Sequence, residues 1–226
     1  MAISRNVFCK HYGGSVKDII KKTADFVQKQ LMGAAPGFDW GHICRVWKNG
    51  IKIAEKEGNV DMDVVELSAL LHNLNDWKFA AKGSVSARSW LSSLDVDGSM
   101  IDRICHVIDH ISFKGAKTPV EMKTREGMIV QDADRLDAMG AMGIVRTFSY
   151  GGCINQEIHN ENISPVQHGS FEEYKSKRSS SINHFYEKLL LLKDRMNTKT
   201  GREMAEQRHE FMEDFLSQFF AEWKAE

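Results

Sequence analysis

Apolar residues recur every three or four positions through nearly the whole chain, and this period restricts the fold to packed helices. Only Pro36, Pro119 and Pro165 interrupt it, each beside a stretch with loop character. No window alternates apolar and polar residues as a half-buried strand would. Ser15 and Asp18 resemble a capping box ahead of Ile19, Ile20, Ala24, Val27 and Leu31. A second helix is expected over residues 40–57, stopped by Gly58-Asn59, and a third from near Asp63 into Leu71-His72-Asn73-Leu74. Shorter helices are expected over 84–94 and 98–111, and a nearly continuous one over 122–150 with Gly140 and Gly143 as interruptions. Residues 151–169 lack a period and read as a long loop, the kind that often serves as a lid or binding loop. Two amphipathic helices, about 171–196 and 200–224, complete an all-α, single-domain reading of residues 1–226, with a core over about 20–150. Met204, Phe211, Met212, Phe215 and Phe219 fall at core spacing in the last helix.

With 226 residues, 42% of them hydrophobic and 27% charged, the chain can bury a core that needs neither disulfide nor structural metal. Lys+Arg 30 against Asp+Glu 31 leaves a net charge of -1. That balance argues against a nucleic-acid partner, which usually demands a basic excess or stripe. No run of about 18 apolar residues exists to span a membrane. Residues 1–10 carry no apolar stretch of the secretory kind, and Cys9, Cys44, Cys105 and Cys153 are scattered. Reduced thiols in a cytoplasmic protein are the expectation. Nucleotide P-loop, dinucleotide-fold and nucleophile-elbow signatures are all missing. His209-Glu210 begins like a zinc-protease helix, but Glu213 stands where the second histidine belongs.

Three polar clusters break the apolar pattern. His42 follows Asp39-Trp40-Gly41; His72-Asn73-Leu74-Asn75-Asp76 ends a strongly apolar helix; and Gln131-Asp132-Ala133-Asp134-Arg135-Leu136-Asp137 follows Met128-Ile129-Val130. A lone histidine on such a helix is more often a hydrogen-bonded core residue than a ligand. Three clusters together are harder to dismiss, because a buried imidazole or carboxylate without a partner costs a few kcal/mol. Imidazole nitrogen and carboxylate oxygen suit Mn, Fe, Zn, Co or Ni better than Ca.

The order His42, His72 with residue 73, then Asp132 resembles the H…HD…D pattern of the HD-domain metal-dependent phosphohydrolases, which are helical bundles. The flanking segments Phe38 to His42, Ala69 to His72, His110-Ile111-Ser112-Phe113, Val130 to Ala138, His184-Phe185 with Lys188-Leu189-Leu190, and Met196-Asn197-Thr198 resemble that family's small single-domain bacterial branch. The resemblance implies one divalent transition metal, Mn foremost and Fe, Co, Ni, Zn or Mg as alternatives, held by His42, His72, residue 73 and Asp132. It implies a catalytic role in water activation for Asp76 and, for His110, a role beside a phosphate or leaving group, with His106 structural. Phosphate-binding cations would be Lys188, then Lys78 and Arg135, although Arg135 also fits a pairing with Asp134 or Asp137. The branch includes nucleotide pyrophosphatases, so the implied substrate is a nucleoside triphosphate or similar small phosphorylated molecule; a homodimer is compatible. The chain departs from the pattern at Asn73, where the family has Asp. A neutral amide oxygen there should weaken metal binding and impair turnover. An introduced change, a tolerated natural ligand and a natural pseudoenzyme all remain open, and the alternative function is an inactive nucleotide-binding module.

Overall fold

A computed structural model describes residues 15–33, 39–74, 85–111, 121–167 and 179–225. The chain is an all-α bundle, with no strand among the described residues: α1 (Val16–Gln30), α2 (Trp40–Glu57), α3 (Met62–Leu71), α4 (Ala87–Ser92), α5 (Gly98–His110), α6 (Arg125–Asp137), α7 (Gly140–Cys153), α8 (Ser181–Glu187) and α9 (Lys199–Trp223). Five of the described helices are capped by an Asp or Thr side chain: Asp39, Asp61, Asp97, Thr124 and Thr198 each accept a backbone N–H of the following turn. Ser15 precedes α1, but its side chain makes no such bond, so the expected capping box is not formed.

Position in the bundle follows from how far apolar residues wrap each helix. α3 buries Val64, Val65, Leu67, Ser68, Ala69, Leu70 and Leu71, nearly its full circumference, and so can only be central. One apolar cluster joins α1, α3, α4 and α5 through Ile19, Val27, Leu67, Leu91 and Ile104. The other joins α2, α6 and α9 through Val46, Ala133, Leu136 and Met212, with Phe185 of α8 at 0% exposure. Trp47 packs against both. The ends of α2, α3 and α6 that carry polar residues therefore meet in the seam between two apolar masses. No described helix is long and apolar enough to cross a membrane. Cys44, Cys105 and Cys153 are free thiols.

The interruption expected at Gly140 is real. Gly140 adopts φ +65°, disfavoured for L side chains, and Gly143 lies so near the Ala138 carbonyl that a Cβ would overlap it. Two expectations need correction. α8 covers only Ser181–Glu187, and after Lys188 (φ -144°, ψ -59°) the chain tightens into 3-10 turns at Leu189–Leu191 and Lys193–Arg195. The three-residue period of that geometry puts Leu189 and Leu192 on one inward line, at 2% and 1% exposure. Residues 171–178 of the expected helix lie outside the described set. In α9, Phe211 points outward at 51% exposure, whereas Ala205, His209, Met212 and Leu216 face the core.

The long loop begins only after Cys153, and it is tied down. Ser181 and Ile182 donate their amides to Glu157 O and Ile158 O at 2.9 and 3.0 Å, and Asn183 Nδ2 donates to Ile163 O at 2.7 Å. Glu187, 5% exposed, accepts from Val166 N at 3.1 Å and from Ser179 Oγ at 2.8 Å. One buried carboxylate oxygen thus holds both ends of the stretch between 166 and 179. Glu187→Ala strands these donors and is expected to lower stability by about 1–3 kcal/mol. An unchanged midpoint in urea would show that water replaces the carboxylate.

Candidate metal centre

The Asp39 carboxylate accepts the His42 amide at 3.0 Å and so starts α2 with its first-turn histidine turned into the seam. His42 is 1% exposed and His72, just beyond the last residue of α3, is 5% exposed. Their Nε2 atoms lie 3.2 Å apart. Asp134 Oδ1 approaches the same point from α6, 3.6 Å from His42 Nε2 and 3.8 Å from His72 Nε2. These three residues form a group whose ligand atoms all lie within 4.8 Å of one another.

Each ring is oriented from behind. His42 Nδ1 donates to Asp137 Oδ2 at 2.7 Å, and His72 Nδ1 donates to the Ala69 carbonyl at 2.7 Å. Oxygen acceptors at both Nδ1 atoms place each ring's proton there and leave the Nε2 lone pair facing its counterpart. Two lone pairs at 3.2 Å with a carboxylate oxygen beside them repel unless a cation lies between. Burial pushes the His72 pKa down, which favours the unprotonated ligand form. Burial alone would raise the Asp134 carboxyl; the neighbouring His72, His42, Arg146 and Lys188 overcome this and leave it below the ordinary value. Nitrogen, nitrogen and carboxylate oxygen fit a divalent transition metal.

Asp137 is the best-held carboxylate of the seam, 1% exposed. Arg45 Nε donates to its Oδ1 at 2.6 Å and Arg45 Nη2 to its Oδ2 at 3.1 Å. Arg146 Nη1 donates to the same Oδ2 at 2.8 Å and to the Asp137 carbonyl at 3.0 Å. Burial opposes ionisation, but His42 and the two guanidiniums hold the carboxyl far below the usual range.

On α6 the carboxylate that the structure brings beside the two histidines is Asp134, two residues beyond the Asp132 of the sequence expectation. Asp132, 0% exposed, faces away from the histidines and binds the segment before α9. Asn197 N and Nδ2 donate to its Oδ1, both at 2.9 Å, and Thr198 N and Oγ1 donate to its Oδ2, both at 2.8 Å. Gly201 leaves the room this carboxylate occupies, since a Cβ there would overlap Asp132 Oδ2. Two positions along a helix are about 200° apart, so Asp132 and Asp134 cannot serve one site. Arg135 follows Asp132: it lies 3.8 Å from Asp132 Oδ1 and donates to the Arg195 carbonyl, away from the histidines.

Asn73 is 9% exposed, and its Nδ2 is buried without a hydrogen-bond partner. Lys188 closes α8 and its charge is felt at Asp134. The His110 ring lies 4.4 Å from the His106 ring at a tilt of 34°, and His110 donates from Nδ1 to the His106 carbonyl at 2.7 Å. No hydrogen bond joins it to His42, His72 or Asp134 among the described residues. Asp76 and Lys78 lie outside the described residues. Sequence reasoning places Asp134 and Asp137 only in the acidic run and as pairing partners for Arg135, and it misses Arg45 and Arg146. The signal was present: 134 and 137 share one helical face, as 132 and 135 share another. Cavities of about 310 and 290 Å³ lie elsewhere, under residues 159–165 and at the start of α9, and neither is lined by the three clustered residues.

A His-His-Asp cluster at the junction of three helices, with both imidazoles buried, is a group that could hold a metal ion in a helical protein, and the comparisons point the same way. A family model described as HD domain matches residues 39–139, the stretch holding His42, His72, Asp134 and Asp137. The chain belongs to the HD-domain phosphohydrolase family. YpgQ of Bacillus subtilis is 38% identical over 200 residues, 85% of this chain and 88% of that protein. An HD-superfamily hydrolase from Bacillus thuringiensis is 39% identical, with TM-score 0.72 and coverage of 94% of this chain and 100% of that one. A Lactobacillus plantarum protein superposes with TM-score 0.85 at 32% identity, covering 93% and 98%. YpgQ has been solved in complex with ADP; that structure shares 35% identity and TM-score 0.73, covering 90% and 94%.

Proposed function

We propose that this protein is a Mn-dependent phosphohydrolase that acts on a nucleotide, with a nucleoside triphosphate cleaved to monophosphate and pyrophosphate as the favoured reaction. The observation that carries it is the pair of Nε2 lone pairs beside Asp134 Oδ1, oriented from behind by Asp137 and Ala69. ADP bound to the related YpgQ supports the nucleotide class. His42, His72 and Asp134 would hold one divalent cation, with the Asn73 amide oxygen as a neutral fourth donor. Such a cation supplies Lewis acidity toward a phosphoryl oxygen and acidifies water.

The chain's own groups do the rest. Asp137 keeps the proton of His42 on Nδ1, so Nε2 stays a donor of electrons. Lys188 offsets phosphate charge on the Asp134 side. Asp76 takes a proton from the attacking water, and His110 returns one to the leaving group. Arg135, spent on Asp132 and Arg195, is withdrawn from the phosphate-binding set.

Asn73 supports the second reading, an inactive nucleotide-binding module, because an amide brings no charge to the cation. The test measures Mn content and phosphate or pyrophosphate release over a nucleotide panel, for this chain and for Asn73→Asp. The carboxylate is expected to raise Mn affinity and hydrolysis by at least about tenfold, the equivalent of roughly 1.4 kcal/mol. Nucleotide binding without hydrolysis in either form would establish the binding module instead.

A further inference from the structure

Asp134 and Asp137 both reach the histidines from the last turn of α6. Side-chain oxygens there lie about 5–6 Å from the helix axis, so a rotation of about 20° would displace them by about 2 Å. A ligand set tolerates only about 0.5 Å. The end of a helix is the part least able to hold such a setting, because its last carbonyls lack partners within the helix. In α6 two of them are closed from outside. Arg146 of α7 donates to the Asp137 carbonyl at 3.0 Å. The Leu136 carbonyl accepts Met139 N at 3.1 Å, and Arg208 of α9 is its second donor. Thr198 holds α6 one turn earlier, at Asp132, so loss of that contact leaves the last turn still gripped.

Arg208 is the less expected of these two arginines. Its side chain is half-buried; burial pushes its pKa down, opposed by the charge of Asp137. Among the described residues its hydrogen bond goes to this carbonyl and to no carboxylate. A guanidinium in such surroundings costs free energy that an apolar side chain would not. The backbone nevertheless makes room for it: Gly140 takes φ +65°, and a Cβ there would meet Arg208 Cβ and Cγ at 3.1 Å. What offsets the cost is position, since a cation at a helix C-terminus faces the negative end of the dipole. We infer that Arg208 is a positioning residue of the metal centre, which holds the last turn of α6 so that Asp134 stays beside the two histidines and Asp137 behind His42. This role rests on the metal-binding part of the phosphohydrolase reading. It brings α9 into a site whose family match ends at residue 139.

The test uses the full-length protein at a temperature where melts show each variant folded. Mn affinity is measured by competition with a calibrated chelator, and nitrogen–proton correlation spectra of the histidine rings are recorded on the metal-free protein. The wild type is expected to show His42 with its proton on Nδ1. Arg208→Met is expected to bind Mn about tenfold more weakly, the lower end of the loss on removing groups that orient ligands, and to shift the His42 signals. Arg208→Lys restores a cationic donor for the carbonyl and should recover both, with an affinity within about threefold of wild type. Wild-type Mn affinity and unmoved His42 signals in Arg208→Met overturn the proposal, however far the melting temperature falls. So does a Lys variant as impaired as Met, which would assign the effect to packing against Gly140. If Arg208→Met does not fold, Arg208→Gln takes its place, too short to reach the carbonyl but suited to half-wet surroundings, and is judged by the same outcomes. Absence of Mn binding in the wild type would sink the metal-centre reading, while the metal-free His42 spectrum would still decide the role of Arg208.

Discussion

Alanine at position 134 is expected to abolish tight divalent metal binding and reduce hydrolysis to background, while the metal-free protein melts within a few degrees of wild type. The side chain is about one-third exposed, so its loss empties little of the core. It is, however, the sole carboxylate of the His-His-Asp group. Without it a divalent cation would face two imidazoles and, at most, a neutral amide. Removing groups that merely orient ligands already costs about 10–100-fold in metal affinity, so removing a charged ligand should cost at least about 100-fold. Competition with a calibrated chelator, read beside a thermal melt, checks both halves. Wild-type Mn affinity in Asp134→Ala would refute the site as drawn.

Asp132→Ala should do the reverse. Its carboxylate accepts four donors from Asn197 and Thr198 at 2.8–2.9 Å, in a position with no solvent access. Two of those donors are the backbone amides that lead into α9, the longest described helix. Truncation leaves them buried and unpaired, and leaves Arg135 facing no carboxylate at 3.8 Å. Deleting one partner from a buried charged network costs about 3–5 kcal/mol. For a chain of this length that corresponds to roughly a 10 °C fall in melting temperature. At low temperature the folded fraction should still bind one Mn, because His42, His72 and Asp134 are untouched. If Asp132→Ala instead loses metal at an unchanged melting temperature, Asp132 is the ligand that the sequence pattern named. The pair of variants therefore assigns two neighbouring carboxylates to metal binding and to folding.

How much of this was legible beforehand depends on the range of the interaction involved. Helix α2 has the expected bounds and α5 falls one residue short of the expected end, because the apolar period that marks them acts within a few residues. Period likewise separates the inward Ile101, Ile104, Cys105 and Ile108 from their outward neighbours. The same local reasoning failed at 189–195, where burial of Leu189 and Leu192 tightened the chain into 3-10 turns. It failed again at Phe211, whose spacing fits the core although its face meets solvent.

The candidate site shows the division most sharply. Residue type marked His42, His72 and the acidic run of α6 as candidate ligand material, because imidazoles and carboxylates at the ends of apolar helices need partners, and the resemblance to the HD-domain family implied their order around a metal. Sequence could not choose among Asp132, Asp134 and Asp137, which are chemically equivalent until the rotation of α6 is fixed. That rotation is set by packing: Ile129, Val130, Ala133 and Leu136 seat the helix against its neighbours, which turns Asp132 toward Thr198 and Asp134 toward the histidines. Asp137 then falls between Arg45 and Arg146, residues 92 and 9 positions away along the chain. Pairings over such separations follow from how helices pack, and no local pattern encodes them.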